Sequence, residues 1–222
     1  PAQVLSGREV DSLGSLEDRV DRLLDAGADG VWIVPFTKAL AELEPEQFIE
    51  DLLATRLQVR AVVVGPDFHF GRGASGGVTL LEAYAERVGF VCEQLPFVTV
   101  ENQRVSSSAI RESLRRGDVD KASRFLLRPY ELKGTVVSGD ARGRTLGFPT
   151  ANVKPTEGLL VPADGVYAVD VDLWTPESVG QGRSRHPALS KLPAVANIGV
   201  RPTFGGTSRS IEVFVLDQSR DL

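Results

Sequence analysis

Gly147-Phe148-Pro149-Thr150-Ala151-Asn152 is the stretch on which the reading of this chain turns. It follows a strand-like run, Tyr130 to Val137, and a loop rich in glycine and arginine, Gly139-Asp140-Ala141-Arg142-Gly143-Arg144. Glycines let a backbone approach a bulky anion closely, and Thr and Asn set two small oxygen groups beside it. That combination suits a pocket for phosphate and Mg2+. Taken alone, the run is equally an ordinary turn before a strand.

The rhythm of the chain changes on either side of residue 128. Before it, helical and strand patterns alternate. Leu16, Val20, Leu23 and Leu24 follow helical spacing, with Ser15 and Asp18 placed as a capping box. Gly30 to Val34 is an apolar run expected as a strand buried on both faces. Pro45 to Leu57 is expected as a helix facing inward with Phe48, Ile49, Leu52 and Leu53. Val59 to Val64 and Phe90 to Leu95 are expected strands, with a helix from Leu80 to Val88 between them. Helices follow at Ser107 to Arg116 and Val119 to Leu127, broken at Gly117. Such alternation predicts a doubly wound α/β domain with a parallel sheet over residues 1–127. After it, β-rich segments at Glu131 to Val137, Gly165 to Leu173, Ala194 to Ile198 and Ser210 to Leu216 predict a small antiparallel β-barrel over residues 128–222. Ser178 to Pro187 is a polar insertion, expected as a mobile loop.

Composition narrows the classes of function. Hydrophobic residues at 42% and charged residues at 25% are ordinary for a globular protein in water. No apolar run approaches the ~20 residues of a membrane span, and Pro1-Ala2-Gln3 does not open a signal peptide. Cys92 is the one cysteine, so no internal disulfide forms, and a reducing, cytoplasmic setting is expected. A net charge of −5 argues against sequence-independent nucleic-acid binding but not against nucleotides, which need only local donors. Small-molecule partners are therefore expected, with no nucleic acid and no membrane; self-association is left open.

In order along the chain, Gly143 to Asn152 (GRTLGFPTAN), Pro162 to Ala168 (PADGVYA), Val195 to Gly206 (VANIGVRPTFGG) and Ser210 to Asp217 (SIEVFVLD) closely resemble the riboflavin kinase module of bacterial bifunctional riboflavin kinase/FMN adenylyltransferases. The resemblance implies ATP-dependent phosphorylation of riboflavin to FMN. In strand Ser210 to Leu216, Ile211, Val213 and Val215 share one face while Glu212, Phe214 and Leu216 share the other. A carboxylate beside two large apolar side chains is either desolvated and functional or solvated near a strand end. The family's matching Glu is a base toward the ribityl 5′-hydroxyl, which implies that role for Glu212. By the same comparison Thr150 and Asn152 hold Mg2+ and ATP phosphates, and Gly139, Arg142, Gly143, Gly147, Phe148 and Pro149 form the phosphate loop. Asn197 opens a second nucleotide-side loop running to Phe204.

The first half carries a parallel likeness. Ser106-Ser107-Ser108-Ala109-Ile110-Arg111 resembles the adenylyltransferase element S-S-T-x-I-R, in which hydroxyls and an Arg at a helix N-terminus bind nucleotide phosphates. Val62 to Gly71 (VVVGPDFHFG) is similar to the family's V-V-V-G-x-D-F-x-F-G, implying that Gly65, Asp67 and Phe68 lie on the flavin side of that site. Val34 to Thr37 and Pro45 to Phe48 match further family elements. His69 is expected as a partly buried, hydrogen-bonded histidine rather than a ligand. The resemblance implies a nucleotidyltransferase-like first domain, with Mg2+, ATP, riboflavin, FMN and FAD as cofactor, substrates or products.

Two family features do not match. The G-x-F-D-G-x-H-x-G-H element is not found, since the only histidines are His69 and His186, and nothing matches the family's strands and helix beyond Leu222. The chain also lacks Met. These departures lead to the expectation of a longer parent, and of a 222-residue chain unable to adenylylate FMN and at best weakly active as a kinase. Smaller departures are Ser108 where Thr is usual and Leu127 where Gly is common. A kinase-only enzyme and a non-catalytic flavin- or nucleotide-binding module are the alternative readings.

Overall fold

The computed structural model describes residues 4, 5, 7, 10–138, 150–175, 187–203 and 206–216. The predicted phosphate loop from Gly139 to Pro149 and the polar insertion from 178 to 186 lie outside them. The chain forms two compact units, Pro1–Asp11 with Leu16–Ser106, and Ser12–Ser15 with Ser107–Leu222.

In the first unit, α1 (Leu16–Asp25) is amphipathic as its spacing predicts, with Val20 and Leu24 half-buried. The short α2 (Lys38–Ala41) is capped by Thr37, whose hydroxyl accepts from the Leu40 N–H at 3.2 Å. α3 (Pro45–Gln47) runs directly into a π-helical stretch, Phe48–Arg56. That stretch carries fully buried Ile49, with Phe48 and Leu53 packed beside it. β1 (Ala61–Val64), α4 (Val78–Val88) and β2 (Val91–Gln94) make a β-α-β unit, in which β1 and β2 pair in parallel from Ala61–Val91 to Val64–Gln94. Ile49, Phe70, Leu81, Ala85 and Phe90 form the core. A fully buried side chain such as Leu81 contributes about 1.5–3 kcal/mol. Gly71 is forced by its surroundings: its φ is +74°, and a Cβ there would lie 2.6 Å from the Pro45 ring. β3 (Thr99–Val100) and β4 (Gln103–Arg104) form a hairpin whose two turn residues, Glu101 and Asn102, both have positive φ, as a tight primed turn requires.

The predicted strand at Gly30 to Val34 is not formed. The run is irregular and Trp32 is 56% exposed. An apolar run becomes a strand only beside a backbone that offers ladder partners, and among the described residues none runs alongside it. The parallel sheet expected of a doubly wound domain therefore consists, among the described residues, of β1 and β2 alone.

The second unit begins with two helices, α5 (Ser107–Arg115) and α6 (Val119–Leu126). Gly117 breaks them with φ +79°, and Asp118 caps α6 by accepting from the Lys121 N–H at 3.0 Å. Five strands follow: β5 (Gly134–Val137), β6 (Ala151–Pro155), β7 (Gly165–Leu173), β8 (Leu189–Thr203) and β9 (Gly206–Val215). They form an antiparallel sheet in the order β5-β6-β9-β8-β7. Ala194, Ala196, Ile198, Ile211 and Val215 are buried on one face. The barrel expected for this half is, among the described residues, an open sheet edged by β5 and β7, since no ladder joins those two strands. Asn197 to Thr203, expected as a loop, is the end of the 15-residue strand β8, because its pairing with β9 continues unbroken to Thr203–Gly206.

Leu127 ends α6 in the left-handed conformation, φ +56° and ψ +25°, while the Arg128 N–H reaches back to the Ser123 carbonyl at 3.1 Å. This is the position where helices favour Gly, because a Cβ there crowds the following carbonyl. Leu127 is 86% exposed, so it gains little from burial. Leu127→Gly is expected to stabilise the protein by about 1 kcal/mol, roughly 2–4 °C in Tm. Thermal unfolding followed by circular dichroism checks this; an unchanged or lower Tm rejects strain at this cap.

Candidate functional site

The register of the sheet gathers the predicted kinase residues. Asn152 on β6 pairs with Glu212 on β9, and Glu212 pairs with Asn197 on β8. Directly paired residues point to the same face, so the three polar side chains stand in one row across three adjacent strands. At about 4.8 Å per strand the row is roughly 10 Å long. Val137 continues it beyond Asn152, and Val166 beyond Asn197. The row lies on the face opposite buried Ile211 and Val215, in agreement with the alternation read from the sequence. Glu212 and Asn152 are half-buried and Asn197 is exposed. Phe214, paired with Val195, provides apolar surface two residues from Glu212. Thr150 stands immediately before β6, two residues from Asn152. The described members of the predicted set, Thr150, Asn152, Asn197 and Glu212, thus come from one neighbourhood of the sheet. Gly139, Arg142, Gly143, Gly147, Phe148 and Pro149 lie outside the described residues.

A carboxylate between two carboxamides has acceptors and donors at defined distances. A carboxylate in general can orient or deprotonate a hydroxyl. The hydroxyl and amide oxygens of Thr150 and Asn152 are hard donors that suit Mg2+, an ion that usually completes its shell with phosphate and water. Among the described residues no group of three or more His, Cys, Asp and Glu side chains could hold a metal by itself.

The predicted adenylyltransferase residues occupy two places. Ser106 precedes α5, and Ser107 and Ser108 open its first turn, exposed. Arg111 follows one turn later, half-buried, on the same side as Ser107 and Ser108. Gly65, Asp67 and Phe68 form the turn after β1, closed by the Phe68 N–H on the Gly65 carbonyl at 3.1 Å. Phe68 stacks on Phe70 at 5.5 Å and packs on the first core. His69, expected partly buried, is exposed, and its Nδ1 lies 2.9 Å from the Asp67 carbonyl. Its side chain follows the turn out of the core, whereas Phe68 and Phe70 point in.

Sequence reasoning missed Arg104. Its guanidinium donates to the Asp67 carboxylate and lies 3.6 Å over the Phe97 ring. It thereby ties the β3–β4 hairpin to the turn after β1. The Glu101-Asn102 pair between Val100 and Gln103 was the one local signal of that hairpin. The Arg104 hydrogen bond is the main cause that holds the Asp67 carboxyl below its ordinary range. Cys92 on β2 is partly buried, and desolvation pushes its thiol up.

The two halves of this geometry match separate family models. A riboflavin kinase model covers residues 126–222 and an FAD synthetase model covers residues 1–109. The chain is 38% identical over 210 residues to a bifunctional riboflavin kinase/FMN adenylyltransferase of Escherichia coli, covering 95% of this chain and 63% of that protein. It is 36% identical to the protein of the same name from Listeria monocytogenes, covering 100% of this chain and 67% of the relative, and 34% identical to that from Haemophilus influenzae, covering 100% and 68%. The chain belongs to the bifunctional riboflavin kinase/FMN adenylyltransferase family, and spans about two-thirds of the length of these relatives. A solved structure described as a macrolide-efflux protein from Streptococcus pneumoniae superposes with a TM-score of 0.78 at 30% identity, over 94% of this chain and 62% of that one. Among the described residues no helix is long and apolar enough to cross a membrane.

Asp67 gives a pH test of the Arg104 contact. Because its folded pKa is depressed, the stabilisation is complete above the ordinary aspartate range and is lost as pH falls through the folded value. Arg104→Gln is expected to move the Asp67 titration upward, toward the ordinary aspartate value. Carboxyl-carbon NMR reads this directly, and an unmoved titration means that the pair does not form in solution.

Proposed function

We propose that this chain catalyses the ATP-dependent phosphorylation of riboflavin to FMN, and that the protein carrying it also adenylylates FMN to FAD. The supporting observation is the in-register row Asn152–Glu212–Asn197, with Thr150 two residues upstream of it. The Glu212 carboxylate takes the proton of the ribityl 5′-hydroxyl as that oxygen attacks the γ-phosphorus of ATP. The bond to the β,γ-bridging oxygen breaks and ADP leaves. Asn197, beside Glu212 on β8, orients the carboxylate or the substrate hydroxyls. Thr150 and Asn152 would hold Mg2+, which when bound neutralises charge on the phosphates. Gly139, Arg142, Gly143, Gly147, Phe148 and Pro149 are the phosphate-binding residues in this reading. Phe214 and the valines beside the row offer the apolar surface that a flavin ring needs.

The adenylyl transfer rests on the helix α5. The hydroxyls of Ser106, Ser107 and Ser108 at the start of the helix, with Arg111 one turn on, favour an anionic phosphate at the positive end of the helix dipole. Gly65, Asp67 and Phe68 form the flavin side. We assign residues 1–127 to a nucleotidyltransferase-like, doubly wound fold and residues 128–222 to the β-barrel type of riboflavin kinases. The single reduced thiol of Cys92 agrees with a cytoplasmic protein.

Single-turnover measurements with protein in excess over riboflavin test the kinase assignment, with FMN separated by chromatography. Glu212→Gln is expected to slow FMN formation by about 10²–10⁴-fold with little change in riboflavin affinity. FMN formed at the wild-type rate removes Glu212 as the base. Asn152→Ala is expected to weaken binding of Mg-ADP about tenfold, an effect of about 1.4 kcal/mol read by calorimetry. Equal Mg-ADP affinity removes Asn152 from the nucleotide site.

A further inference from the structure

Between β6 and β7 the backbone is irregular, yet four consecutive carbonyls each accept a side-chain donor. Leu160 accepts from the Tyr130 hydroxyl at 2.7 Å, Val161 from Arg209 Nη1 at 3.3 Å, Pro162 from Arg209 Nη2, and Ala163 from the Tyr167 hydroxyl at 2.7 Å. The Asp164 carboxylate accepts from Arg209 Nε at 2.9 Å. The amides are used as well: the Leu160 N–H donates to the Ser12 carbonyl and the Ala163 N–H to the Leu114 carbonyl, both at 2.9 Å. Leu159, Leu160 and Pro162 are buried. Leu114, in the last turn of α5, is fully buried. Gly117, just after α5, sits so close that a Cβ there would be 3.3 Å from the Tyr167 hydroxyl and 3.4 Å from Ala163 Cβ.

An irregular segment with its carbonyls fully engaged cannot shift without breaking several bonds together. Arg209 makes three of those contacts with one planar fork, a geometry that lysine cannot reproduce. It stands on β9 three residues before Glu212, on the opposite face of the sheet. We propose that Arg209 is a positioning residue: through Val161–Asp164 it ties the C-terminal turn of α5 to β9, so that the helix opening with Ser107 and Ser108 and the strand bearing Glu212 move as one piece. Disturbance at the Asn152–Glu212–Asn197 row then reaches α5 without direct contact. The mechanical link stands on the geometry alone; only what binds at its two ends rests on the proposed function.

Amide hydrogen exchange on Arg209→Gln and Arg209→Lys tests it. Arg209→Gln is expected to speed exchange of the Ala163 amide and the last turn of α5 at least tenfold, with Arg209→Lys intermediate and the β8–β9 ladder within about twofold. Unchanged exchange at Ala163 and α5, or an equal rise through the whole sheet, overturns the link. Should Arg209→Gln not fold, Asp164→Asn is read at the same amides with a smaller expected rise.

Mg-ADP is then added. In the wild type it is expected to slow exchange in α5, and in Arg209→Gln this protection is lost while the Kd stays within about threefold. Equal protection in both proteins at saturating Mg-ADP, or protection in Asn152→Ala that sets in at the wild-type Mg-ADP concentration and so comes from binding at α5 itself, overturns the transmission. If Mg-ADP does not bind the wild type, the proposed function fails and the ligand-free exchange alone decides the link.

Discussion

The antiparallel register of β6, β9 and β8 is the constraint on which the rest depends. It converts three residues far apart in sequence, Asn152, Glu212 and Asn197, into neighbours on one face. A slip of one residue would send Glu212 to the buried face and Ile211 to the open one. The buried face resists such a slip. Ala194, Ala196 and Ile198 on β8 meet Val215, Val213 and Ile211 on β9, so a one-residue slip would expose apolar groups and bury a carboxylate. The apolar half of the sheet therefore fixes the polar half.

The same logic explains why the segment before β7 is so heavily bonded. A strand can be registered by its ladder, but the irregular chain from Leu160 to Asp164 has none. Its position is set instead by the hydroxyls of Tyr130, ahead of β5, and Tyr167 on β7, and by the guanidinium of Arg209 on β9. Burial raises the Tyr167 phenol pKa, so the range over which its hydroxyl can donate extends further into alkaline pH. The α5–α6 pair is fixed against the segment by the Leu114 carbonyl and by the left-handed Gly117. The compact unit that holds the sheet accordingly takes in both helices from Ser107 onward, together with Ser12–Ser15, although the residue pattern changes from helical to β-rich only near residue 128.

That difference shows what was legible in the sequence. Alternation along Ser210 to Leu216 placed Glu212 and Ile211 on opposite faces, because strand periodicity is a local property. The helices at Ser107 and Val119 were legible for the same reason. Partners were not. Nothing in Gly30 to Val34 distinguishes an apolar run with a neighbouring strand from one without, and the structure leaves it irregular. Asn197 to Thr203 contains Gly199 and Pro202, which favour a turn locally, yet long-range pairing with β9 holds the stretch as strand. Arg104 and Arg209 were invisible for a related reason. An arginine in a β-rich segment reads as solvated until the carbonyls and carboxylates it meets, Asp67 for one and Val161 to Asp164 for the other, are known to be adjacent.

The placement of Glu212 also bears on why a half-buried carboxylate is retained in the middle of a sheet. A strand face built only for stability would fill that position with a β-branched or aromatic residue, as Val195 and Phe214 do two residues away. Two flanking carboxamides can satisfy a carboxylate by hydrogen bonding but bring no positive charge to it. A lysine or arginine at 152 or 197 would secure the carboxylate more firmly and depress its basicity. The two residues paired with Glu212 in register are neutral amides, which depress the basicity of a carboxylate less than a cation at either place would. On the proposed function, the row Asn152–Glu212–Asn197 is accounted for by the chemistry assigned to it, which packing of the sheet alone does not require.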